Sequence, residues 1–283
     1  MNFNMNTTFI PSTLLAFYAF ACAAAEPSYS QAIAQSIEEV THVSAVTTPA
    51  KSHGSWQQSA ELMQQQVSTA ILAFEATSRK QWAFDVSHYE NEEGDITSSE
   101  ERYQPNEDAT KQWTLLKLNG EVPSDKQAKK FQKKKAEQLA KKSNGSINIK
   151  LRDMISINTL SFVFEDDVKA IADFNVHLER LGEKASKQLT GQLTYNKQGQ
   201  FIERIAIKNI GPFSPIFSAK ITDFKMNIHF QKIAQAVLPH ENNLAMKGRF
   251  ALFTQIDEVS TDRYYNYRYQ PADDDASKEK KGD

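Results

Sequence analysis

Leu244–Ile256 reads LAMKGRFALFTQI, with Leu244, Met246, Gly248, Phe250, Leu252, Thr254 and Ile256 on the even positions. Val168–Leu178 reads VKAIADFNVHL and puts Val168, Ala170, Ala172, Phe174, Val176 and Leu178 on one parity. A period of two marks a strand with one face on apolar material and the other on water. Each stretch is therefore read as one strand. Leu160–Glu165, Gln188–Tyr195, Phe201–Ile210, Pro215–Gln231 and Arg263–Gln270 extend the series. Asp166-Asp167, Asn196–Gly199 and Gly211-Pro212 are the turns between them. Within Pro215–Gln231 the apolar parity changes, from Phe217, Ala219 and Ile221 to Phe224, Met226, Ile228 and Phe230. A bulge near Thr222-Asp223 would reconcile the two halves.

Upstream, Trp82, Phe84 and Val86 alternate with Ala83, Asp85 and Ser87, and Ile96–Gln104 and Trp113–Leu118 follow as further strands. Glu92-Glu93-Gly94-Asp95 and Asn119-Gly120 suit tight turns. Met63, Val67, Ala70, Ile71 and Phe74 recur at helical spacing and predict a helix packed on the sheet. Ser124 and Gln127 form a capping box for a helix running to about Lys142 and ending at Asn144-Gly145. That helix holds lysines at 126, 129, 130, 133, 134, 135, 141 and 142 on a thin apolar stripe of Ala128, Phe131 and Leu139. The fold class is α+β: a curved antiparallel sheet, a half-barrel, covered by one or two helices within residues 56–270.

The chain has 283 residues, a net charge of −2 and a pI near 6.3, which gives no global attraction to nucleic acid. Met1–Ala25 carries no charged side chain, and Thr13–Ala25 (TLLAFYAFACAAA) has the length of a signal h-region, short of the roughly 20 apolar residues of a membrane span. Ala23-Ala24-Ala25 before Glu26 is a small-residue cleavage site, so the mature protein is expected in the periplasm or secreted. The single cysteine, Cys22, follows Ala19-Phe20-Ala21. Phe20 fills a position that a lipidation signal reserves for a small residue, so cleavage near Ala25 is favoured over lipid anchoring. The mature chain then has no disulfide and depends on its core. Residues 26–55 read as a flexible lead-in with a short helix at Gln31–Val40, and residues 271–283 as a disordered charged tail.

No His-Glu-x-x-His run, nucleophile elbow or glycine-rich phosphate loop is present, so no cofactor, metal or catalytic residue is expected. Of the six histidines, His88, His177 and His229 fall in strands and could meet in space. The acidic pairs Glu92-Glu93, Glu100-Glu101 and Asp166-Asp167 read as solvated surface. Two features carry binding chemistry. Phe162, Phe174, Phe224, Met226, Phe230 and Phe250 are large residues on apolar strand faces, fit to fill a core or line a cavity for a lipid or acyl ligand. Phe164 and Leu252 share the pattern. Lys129, Lys130, Lys133 and Lys134 on the lysine helix could contact an anionic membrane surface or an acidic protein, or be a solvated face whose stems cover the sheet. Tyr264, Tyr265, Tyr267 and Tyr269 place hydroxyls at a rim.

The order of export segment, amphipathic helix, strands, proline-started helix and long antiparallel array resembles the lipoprotein-carrier superfamily of the bacterial envelope. Trp82-Ala83-Phe84, Trp113-Thr114-Leu115-Leu116 and Leu118-Asn119-Gly120 with Pro123 resemble features of exported bacterial proteins. The resemblance implies an unclosed β-barrel with helices as a lid over an apolar cavity, and acyl-chain binding. The chain length and the lysine helix depart from the simple carrier. The expected function is a binding or carrier protein, not an enzyme; the alternative is an envelope interaction module with a solid core.

Overall fold

The computed structural model describes residues 54–143, 150–178, 181–251 and 254–271. The export segment with Cys22, the lead-in before Gly54, the Asn144-Gly145 helix end, Leu252 and the tail after Pro271 lie outside the described residues.

Helix α1 spans Ala60–Ala76, capped by Ser59, whose hydroxyl accepts from the Leu62 N–H. Its buried residues are Met63, Val67, Ala70, Ile71 and Phe74, the stripe that the spacing predicts. Strands β1 (Trp82–Glu92), β2 (Asp95–Tyr103) and β3 (Trp113–Leu118) follow. Positive φ at Glu93 (56°) and Gly94 (94°) turns β1 into β2, and Asn119 (51°) and Gly120 (83°) close β3. Helix α2 spans Asp125–Ser143, and its capping box is formed: the Ser124 N–H donates to Gln127 Oε1 at 2.9 Å. A short α3 (Leu151–Met154) leads to β4 (Ser161–Glu165) and β5 (Lys169–Asn175). After α4 (Gly182–Ser186) come β6 (Leu189–Asn196), β7 (Phe201–Asn209), β8 (Ala219–Ile233), β9 (Ala236–Phe250) and β10 (Thr254–Tyr269).

The strands form one curved, open antiparallel sheet of ten, in the order β3-β2-β1-β10-β9-β8-β7-β6-β5-β4. The chain lays down one wing (β1–β3), crosses to the far edge, and returns strand by strand until β10 pairs with β1. The two edges are the two shortest strands, six and five residues long.

Two sequence expectations are corrected. Leu244–Ile256 is not one strand but the close of β9 and the start of β10, with Phe250 opposite Thr254 and Gly248 opposite Ile256. The partners across this hairpin share parity, so the inner face falls on even positions in both arms and the alternation runs unbroken through the turn. The turn also lacks a glycine, proline or asparagine signal; Ala251 itself takes φ 48°. The first half of β9, from Ala236, carries no regular alternation and is absent from the strand reading. The bulge of β8 lies where the parity change predicts it, between Ile221 and Asp223, and a second one falls between His229 and Phe230.

Candidate functional site

Residues opposite one another on neighbouring strands share a face. Phe162, Ala172, Leu193, Ile205, Ile228, Asn242, Asp262, His88 and Ser99 follow one line of pairs from β4 to β2. This is the inner face, and its chemistry changes along the line. Along this line it is apolar from β4 to β8 and polar from β9 to β2. A second line changes one strand later: Met226 and Leu244 are apolar, and Ser260, Glu90 and Thr97 are polar.

The apolar floor gathers the six predicted ligand-face residues. Phe174, Phe224, Met226 and Phe230 are buried, and Phe162 and Phe250 are partly buried against the same cluster. The five buried residues of α1 belong to that cluster, and Phe74 meets Phe230 edge-on at 4.9 Å. The chain's own helix thus covers the floor. Phe164 departs from the prediction: a bulge between Phe162 and Phe164 leaves it 43% exposed. Glu165 at the end of β4 fixes the entry to α1. It accepts from Ser55 Oγ, the Trp56 N–H and Lys197 Nζ at 2.5, 2.9 and 2.8 Å. Burial disfavours its charge, but these partners hold the carboxyl below the usual carboxylate range.

A second cluster of Phe84, Val86, Tyr103, Trp113 and Tyr264 lies on the same face of the other wing, with Phe131 of α2 and Tyr267 packed against it. Tyr264 therefore sits inside a core, not at a rim, and Tyr267 packs against that core, half-buried, and donates its hydroxyl to the Pro239 carbonyl. Asn266 at φ 54° between them shifts the strand's parity so that both rings point inward.

Between the clusters runs a polar seam. Protonated His88 donates from Nδ1 to Asp262 Oδ1 at 2.5 Å, and its Nε2 lies 3.8 Å from Glu90 Oε2. Burial works against the imidazolium, yet Asp262 and Glu90 outweigh it and raise His88 to about 9. Glu92 faces Glu258, and burial with the charges of Glu90, Glu93 and Asp95 pushes its carboxyl up. Glu90 Oε1 and Asn242 Oδ1 are buried with no hydrogen-bond partner among the described residues. His229 opposes Glu241 on the outer face, and His177 lies beyond the end of β5, so the three histidines do not converge. Among the described residues no group of three or more His, Cys, Asp or Glu is placed to hold a metal ion.

Lysine helix α2 rests on the second cluster. Lys135 Nζ lies 2.6 Å from Glu101 Oε2 and 4.3 Å from the centre of the Trp113 ring. The acidic pair Glu100-Glu101 is thereby split: Glu100 meets Lys117 at the surface, and Glu101 is buried beneath the helix. Lys126, Lys129, Lys130, Lys133 and Lys134 are all exposed. The helical wheel separates Lys135 from its neighbours, since it shares a side with Ala128 and Phe131.

A shallow polar groove of about 390 Å³, lined by Asn91, Glu93, Gly94, Gln255, Asp257 and Val259, lies on the outer face, away from both clusters and α2.

No family model and no curated protein matches the sequence. Among solved structures the chain is similar to a DUF1329 family protein from Desulfovibrio piger, at 8% identity over 74% of this chain and 92% of that one, with a TM-score of 0.31. It is also similar to a chain of MucB in complex with MucA(peri), at 10% identity over 76% and 100%, with a TM-score of 0.19. A chain of the Pseudomonas aeruginosa MucA/MucB complex shares 9% identity over 74% and 99%, also at 0.19. At these scores the likeness carries no argument, and function is read from this chain's own geometry.

Proposed function

We propose that this protein is an exported, non-catalytic binding module of the cell envelope that acts through its surface, with the apolar sheet face serving as its core. Export is supported by the uncharged Met1–Ala25 stretch and its Ala23-Ala24-Ala25 site. The observation that carries the reading is the occupation of the apolar floor by α1. Met63, Val67, Ala70, Ile71 and Phe74 are each no more than 6% exposed against the residues that would otherwise line a cavity. A solid core of this kind leaves the surface as the place of contact.

The second reading is a lipid or acyl carrier in which α1 swings aside as a lid. The floor's continuity from β4 to β9, and the partly buried Phe162 and Phe250 at its margin, favour it. The two differ in one measurement. Protein purified from its host and sprayed under native conditions is expected at its bare mass, and an apolar dye is expected not to bind saturably. A co-purifying lipid, or one dye bound per chain and displaced by a fatty acid, would establish the carrier instead.

A further inference from the structure

We propose that α2 is a docking surface for an anionic lipid headgroup layer, engaged through Lys126, Lys129, Lys130, Lys133 and Lys134. The inference names a partner for the surface-acting module proposed above and rests on that reading.

At about 100° per residue these five lysines fall within an arc of about 140° along roughly 12 Å of helix. Phe131 and Lys135 occupy the opposite side and fix the helix to the second cluster. The stripe thus points away from the sheet on a rigid support. Among the described residues, its one opposite-charge contact is Lys133 with Glu137, at 4.0 Å.

The arrangement works against the isolated protein. Lys126/Lys130, Lys129/Lys133 and Lys130/Lys134 are like-charged i,i+4 pairs, each repulsive. Lys126 also lies in the first turn of the helix, where the macrodipole favours anions. Solubility does not demand such a stripe, and an anionic partner relieves both costs.

The chemistry favours lipid over an acidic protein. Every basic residue of α2 is lysine and none is arginine. Lysine is a hydrated point charge suited to a diffuse anionic layer, whereas arginine dominates geometric recognition of carboxylates at protein interfaces. The exposed side of the stripe carries no aromatic anchor of the kind that organises protein interfaces. Among the described residues no helix is long and apolar enough to cross a membrane. The contact proposed is held by lysine charge and is therefore sensitive to salt.

The test is cosedimentation of the mature protein with phosphatidylcholine vesicles, with and without phosphatidylglycerol, at low and high salt. Binding is expected only with phosphatidylglycerol and at low salt. Changing Lys129, Lys130, Lys133 and Lys134 together to Gln is expected to weaken it at least about a hundred-fold. Circular dichroism and thermal melting are expected to show that variant folded, since all four side chains are exposed. Undiminished vesicle binding by the variant would overturn the assignment to α2. Failure to bind vesicles, with lysine-dependent binding to polyglutamate, would overturn lipid as the partner and leave the surface-acting reading standing. Failure with both, together with a co-purifying lipid in the core, would overturn both readings.

Discussion

His88 takes its charge from position, since Asp262 faces it across the β1–β10 pairing and Glu90 lies two residues along the same strand face. Its folded pKa, about 9, exceeds the unfolded value near 6.5, so the native state binds the proton more tightly. The resulting stabilisation is complete below about pH 6.5 and is lost as pH rises through about 9. His88→Gln is expected to cost about 1–2 kcal/mol in urea melts near pH 6 and much less near pH 10. A pH-independent difference would show that the imidazolium contributes nothing. Gly191 makes a steric point on the floor. It pairs with Phe174 across β5 and β6, and a methyl group there would overlap the phenyl ring. Gly191→Ala is expected to destabilise by about 1–3 kcal/mol, read from the midpoint of chemical unfolding.

Helix α2 shows how identical side chains on one element take opposite roles. Lys135→Ala strips the buried Glu101 of its cationic partner, leaving the Ser99 hydroxyl on its other oxygen, and is expected to cost about 1–3 kcal/mol in thermal or urea melts. Lys130→Ala, on the outer stripe, is expected to stay within about 0.5 kcal/mol. Equal effects would mean that the helix is not seated through Lys135. Elements with local signals were legible in the sequence: the Ser124/Gln127 box, the α1 stripe and the β8 parity change each depend on neighbours within a few residues. The β9–β10 hairpin was not, because its two arms share parity and its turn lacks turn residues. The seam was illegible for a different reason. His88 and Asp262 are 174 positions apart, and only the pairing of β10 with β1 brings them together. The six floor residues were found on one face, but their periodicity could not tell a lined cavity from a core filled by α1.

Across the whole molecule, the seam divides one sheet into two packing units. The larger core joins α1 to β4–β9 and the start of β10, and the smaller, largely aromatic cluster joins α2 to β1–β3 and the end of β10. Between them lies the polar seam, where the buried Glu90 Oε1 and Asn242 Oδ1 have no hydrogen-bond partner among the described residues. Trp56 reports on the larger core, and Trp82 and Trp113 on the other wing. Unfolding followed by fluorescence of a Trp56→Phe variant is expected to occur at lower denaturant than that of a Trp82→Phe/Trp113→Phe variant. Coincident transitions would mean that the β1–β10 ladder binds the two units into one cooperative block.

An open sheet has two ends at which another chain could add itself without limit, and this one guards both. The long strands, fifteen and sixteen residues, are inside, while the rims are short and irregular. A register break sits beside each, at Glu100/Glu101 and Phe162/Phe164. The guard matters most at β4, where Val163 and Phe164 are 45% and 43% exposed on what would otherwise be a flat, adhesive ladder. The kink at Val163 therefore interrupts the regular ladder that an added strand would need, and works against edge-to-edge growth of so wide a sheet.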